Sequence, residues 1–81
     1  MRATAYQSFE SILVEVLVAD YAPDTARRIA TRLAPFAVAV SDGCFFSLQL
    51  DAGRVDIRQT YLDLVTAVRA MAPEIAKALS A

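Results

Sequence analysis

Three prolines and two glycines punctuate this chain, and their placement limits what it can fold into more than any other feature. Pro23, Pro35 and Pro73 each lack a backbone N–H and bias the preceding residue away from helix. Gly43 follows Asp42, and Gly53 follows Asp51-Ala52; both are turn signals. Between the turn signals and around them lie short apolar segments. The periodicity of those segments is the primary guide to secondary structure.

The middle of the chain alternates. FAVAV (36–40), CFFSLQL (44–50) and RVDIR (54–58) read apolar-polar at period two. A three-residue loop Ser41-Asp42-Gly43, with Gly43 in the left-handed conformation, sets Val40 against Cys44, Val38 against Phe46 and Phe36 against Leu48. A two-residue loop Ala52-Gly53 sets Leu50 against Val55 and Leu48 against Ile57. Register follows the hydrophobic pattern, and these loops put every bulky apolar residue except Phe45 on one face. The expectation is a three-stranded antiparallel meander whose outer face carries Phe45, Ser47, Gln49, Arg54, Asp56 and Arg58.

The flanks read as helices. In PDTARRIATRLA (23–34), Pro23 suits a first turn, Ala26, Ile29, Ala30 and Leu33 form an apolar stripe, and Pro35 ends the segment. Toward the C-terminus, Thr60 is a candidate N-cap with Asp63 three residues on. Tyr61, Leu64, Val65, Val68, Met71 and Ala72 follow at helical spacing. Pro73 kinks or restarts that helix, and Ile75 and Leu79 continue its stripe.

The opening segment supports two readings. As a strand, Ile12, Val14, Val16 and Val18 line one face. As a helix, Tyr6, Phe9, Ile12, Leu13, Val16 and Leu17 fall on one side, and Thr4 with Gln7 resembles a capping box. The helical template accounts for the longer stretch and is preferred. It leaves Val14 and Val18 as exposed β-branched residues, hence candidates for self-association. The expected order is α-α-β-β-β-α, with helices on one face of the meander. The alternative is β-α-β-β-β-α. Either is a two-layer α+β domain.

At 81 residues the chain is one domain. Chains of this size bury little more than about 60% of their unfolded surface, so their cores are marginal unless well filled or shared. With 57% apolar residues, many of them alanine, this chain has bulky apolar material to spare. A dense core is one account of it; a second copy or partner covering apolar surface is the other. The formal net charge of −1 lacks the basic excess of a dedicated nucleic-acid binder. Cys44 is the only cysteine, so no intrachain disulfide forms, and a cytoplasmic location is expected. The Ile12–Ala19 run is too short and too charged for a leader or a membrane span, and no membrane partner is expected.

Much chemistry is absent. There is no histidine, which removes the commonest general base and metal ligand. One cysteine without histidine excludes the usual zinc sites. Two glycines cannot build a dinucleotide or phosphate-binding loop. The carboxylates are scattered. No catalytic residue, metal site or cofactor is assigned, and a non-enzyme is expected. Cys44 falls on the inward face of a predicted strand, where a buried core thiol is the plainer reading than a nucleophile.

Two groups of residues could bind a partner. Arg27, Arg28 and Arg32 form a basic patch on the second helix, and Arg28 and Arg32 share one side. They could meet phosphate or an acidic protein, or be an ordinary solvated face. The segment ARRIATRL also invites a helix-turn-helix reading, which Pro23 in the turn and the negative net charge oppose. Arg54 and Arg58, with Phe45 among them, could stack a base or grip a protein. Asp56 between the arginines favours protein over phosphate.

In its small size and its lack of any motif, the chain resembles phage-borne inhibitors such as anti-CRISPR proteins. That resemblance implies a non-catalytic protein-binding module that sterically blocks a larger nucleoprotein complex. It transfers no residue. A nucleic-acid-binding regulator and a self-associating structural subunit, the latter through Val14, Val18 and spare apolar surface, are the alternative readings.

Overall fold

The computed structural model describes residues 2–80, and side chains from residue 6 onward. The chain is helical almost throughout. Helix α1 spans Arg2–Leu17, α2 spans Pro23–Leu50 and α3 spans Ile57–Ser80, with a single 3-10 turn at Ala52–Arg54. Among the described residues there is no strand. The α+β meander expected from residues 36–58 is therefore wrong, and both orders that contained it fall.

The error lies in α2. Pro35 does not end the helix: it sits inside it, exposed to solvent, where water can satisfy the Thr31 carbonyl that proline leaves without an amide. Asp42-Gly43 is not a turn, and neither glycine adopts a positive φ. The buried residues of the disputed segment are Ala37, Val38, Ser41 and Cys44, steps of one and three that belong to a helix. Phe36, Phe46 and Leu50, which the meander placed inward, are exposed.

Packing explains why the helical period wins. The inward side of α2 carries Ala26, Ala30, Ala34 and Ala37, none more than 1% exposed. Small side chains on the central helix let α1 and α3 approach it closely, so alanine here shapes the core as well as favouring helix. Leu13 and Leu17 of α1, Ile29 and Leu33 of α2, and Leu64, Val68 and Ala72 of α3 close around them. Five residues, 18–22, join α1 to α2, a length that suits antiparallel neighbours.

The opening segment follows the helical alternative. Leu13 and Leu17 are buried while Ile12 is exposed. The helix already runs from Arg2, so Thr4 lies inside it and does not start it; the Thr4 side chain falls outside the described side chains.

At the other end, Asp51 leaves helical geometry while its amide still donates to the Ser47 carbonyl at 2.9 Å. Helix α3 starts before the expected Thr60. The Asp56 carboxylate accepts the Gln59 amide at 3.0 Å, which makes Asp56 the capping side chain. Thr60 instead donates its hydroxyl back to the Asp56 carbonyl. Pro73 is accommodated within a continuous α3, with Ile75 and Leu79 carrying the apolar stripe onward.

A hydrogen bond between side chains crosses the bundle. Ser41 of α2, 8% exposed, and the Tyr61 hydroxyl of α3 lie 2.8 Å apart in a hydrogen bond. Replacing Tyr61 with phenylalanine should lower the unfolding free energy by about 0.5–1.5 kcal/mol in urea titration. In a double-mutant cycle with Ser41→Ala, the double variant should lose less than the sum of the two single losses. Strict additivity would mean that the pair is not coupled.

Candidate functional site

Helix α2 positions both features on which binding could rest. Near its start, Arg27, Arg28 and Arg32 are all exposed, as expected. With Thr31 and with Leu79 from the end of α3, they line a shallow open depression. Arg28 is held there: its guanidinium donates to the Leu79 carbonyl at 2.9 Å. That carbonyl belongs to the last turn of α3, where carbonyls lack intrahelical partners and a cation is favoured. Arg28 thus has a structural duty that the sequence did not reveal. Among the described residues, no carboxylate forms an ion pair with any of these three arginines.

The second expected group is not a shared sheet face. Phe45 stands on α2, 53% exposed. Arg54 lies in the 3-10 turn, where its Nε pairs with Asp51 Oδ2 at 3.2 Å. Arg58 is in the first turn of α3. The alternation that grouped them has no structural counterpart, and Arg54 already has a local carboxylate partner.

The two self-association candidates also move. Val14 is half-buried and packs against the core. Val18 is exposed but lies just past the end of α1, its amide bonded to the Val14 carbonyl at 3.0 Å.

No known protein family, curated protein or solved structure matches the chain.

What sequence reading missed is the apolar face of α2. Breaking the chain at Pro35 and Gly43 hid a continuous 28-residue helix. Its C-terminal part is long and apolar enough to cross a membrane by length and composition, and only 33% of that stretch is buried in the bundle. The burial thins along the helix. Seven α2 residues from Ala26 to Val38 are buried, but beyond them only Ser41 and Cys44. A helical wheel of residues 23–50, drawn straight through Pro35, would have found this face.

The cause is a mismatch of lengths. With 16 residues α1 extends about 24 Å, whereas α2 with 28 extends about 42 Å. The longest dimension of the molecule, 41 Å, matches α2 alone. The last turns of α2 therefore run on with α3 as their main cover. Cys44, 6% exposed, points inward there from a helix and not from a strand.

Among the described residues, no group of histidine, cysteine, aspartate or glutamate side chains is placed to hold a metal ion. The arrangement offers charge and apolar surface, which are the means of binding.

Proposed function

We propose that this protein is a non-catalytic binding module, an inhibitor or adaptor that docks an acidic protein surface through Arg27, Arg28 and Arg32. The observation that supports this reading most is the set of three exposed guanidinium groups on one helix with no carboxylate paired to them among the described residues. Guanidinium groups recognise carboxylates through two parallel hydrogen bonds, and arginine is enriched at protein interfaces. Arg28 is already oriented by the Leu79 carbonyl, so less side-chain freedom is lost on binding. A rigid bundle docked in this way would act by occupying a surface that the partner needs for something else. The slightly negative net charge favours an acidic protein patch over a nucleic-acid backbone.

The structure changes which variants test this cleanly. Arg28 caps α3, so its replacement disturbs the fold as well as the patch. Among the described residues, Arg27 and Arg32 make no such contact. The double variant Arg27→Glu/Arg32→Glu should keep a melting temperature within a few degrees of the parent, since exposed substitutions away from packing features change stability little. It should weaken capture of the protein partner from a nuclease-treated native lysate by at least tenfold, because like charges would then face each other. Equal capture by parent and variant removes the patch as the docking site. Tight binding to a DNA duplex by the purified protein, falling steeply with salt, would instead establish a nucleic-acid contact.

A further inference from the structure

One face of α2 is left over when the bundle is complete. Phe36, Ala39, Gly43, Phe46 and Leu50 recur at steps of three and four, the 3.5-residue repeat of a helix-pairing seam. All five are exposed; Phe46 and Leu50 reach 62% and 73%. No charged residue interrupts the stripe between Phe36 and Leu50.

Among the described residues, nothing in the single chain calls for a glycine at position 43. Its φ is negative, and a Cβ built on it would meet nothing within 4 Å. Glycine inside a helix is less favourable than alanine, so a helix with open space at that point would be better served by alanine. A glycine there makes sense where another backbone comes close.

We propose that this face is the contact between two copies of the protein, paired antiparallel about a two-fold axis through their α2 helices. The seam is self-complementary in size. Antiparallel pairing can set Gly43 against the partner's Phe46 and Ala39 against the partner's Leu50, a small residue opposite each of these two large ones, with Phe36 just past the end of the partner's α2. A parallel pair would lose this match. It would also bring Arg32, one turn before Phe36 on the same stripe, against the partner's Arg32. An isologous contact of this kind closes on itself and stops at a dimer.

The area fits a weak dimer. Phe36, Phe46 and Leu50 with their exposed neighbours on α2 offer roughly 500 Å² per copy, hence about 1,000 Å² in all, the lower bound for a specific interface. A dissociation constant in the micromolar range is expected. The pairing does not rest on the arginine reading, and the Phe46 and Leu50 variants that test its strength leave Arg27 and Arg32 in place.

Sedimentation equilibrium of the full chain tests it. The parent should pass from monomer to dimer as its concentration rises through the micromolar range. Phe46→Glu and Leu50→Glu should each weaken the dimer at least tenfold while leaving the helical circular dichroism and melting temperature of the dilute monomer unchanged. Nitroxides attached at Arg32→Cys, in a Cys44→Ser background, should lie more than about 25 Å apart in the dimer, because the helices run in opposite directions. A separation below about 15 Å would mean parallel pairing and would overturn the arrangement. A chain that stays monomeric to about half a millimolar overturns the proposal. So does a monomer that cosediments with phosphatidylcholine vesicles and loses that binding in Phe46→Glu, because the face would then meet lipid.

Discussion

Replacing Leu13 with alanine should lower the unfolding free energy by about 2–5 kcal/mol, whereas Ile12→Ala should cost less than about 1 kcal/mol. The two residues are neighbours, but Leu13 is 2% exposed and Ile12 51%. The difference is the signature of helix. In the strand reading of the same stretch, Ile12, Val14, Val16 and Val18 would face inward and Leu13 outward, and the ranking would reverse. The loss at Leu13 combines the transfer of a buried side chain with the cavity left in a tightly packed core. A domain of 81 residues has a total stability of about 4–12 kcal/mol, so Leu13→Ala could consume half of it. Urea unfolding followed by circular dichroism would measure both variants, and equal losses would mean that α1 packs in some other way.

Pro35→Ala should act in the opposite direction. Proline in a helix interior is about 3 kcal/mol less favourable than alanine, because it removes one hydrogen bond and crowds the preceding turn. Proline also restrains the unfolded chain, which returns roughly 0.4–1 kcal/mol. A net gain of about 2 kcal/mol is expected if the helix runs through position 35, as the span Pro23–Leu50 requires. If Pro35 instead separated a helix from a strand, the alanine variant would only loosen the unfolded state, and stability would fall. The sign of the change decides between the two, and differential scanning calorimetry would read it as a rise or fall in melting temperature.

These two substitutions fall where sequence and structure agree and where they part. The helical spacing of Tyr61, Leu64, Val65, Val68, Met71 and Ala72 was legible because each turn of α3 repeats one pattern; all but Val65, which is half-buried, pack in or against the core. Residues 36–50 obey two patterns at once. Phe36, Val38 and Val40 alternate as a strand would, while Leu33, Ala37, Ser41 and Cys44 recur at steps of three and four. Turn signals at Pro35 and Asp42-Gly43 tipped the reading toward strands. Each signal is a local preference of about 1–3 kcal/mol, and burying an alanine-lined face against two helices outweighs it.

The candidate site shows the same division. That Arg27, Arg28 and Arg32 stand together on an exposed helix side followed from their spacing. That Arg28 is engaged by the Leu79 carbonyl did not, because those residues are 51 positions apart. Phe45, Arg54 and Arg58 were grouped by an alternation with no sheet behind it, and the face around Gly43 was hidden by the same mistake.

The sequence by itself determined the chemistry that is out of reach: without histidine and with one thiol, the usual zinc and histidine-based catalytic sites are excluded. It also determined the inward stripe of α3, because a single repeated period leaves no alternative. Only the tertiary structure decided that residues 36–50 are helix and that α1 is too short to cover them. A local pattern can be satisfied by either period. The choice belongs to whichever arrangement buries more apolar surface, and that depends on helices distant in sequence.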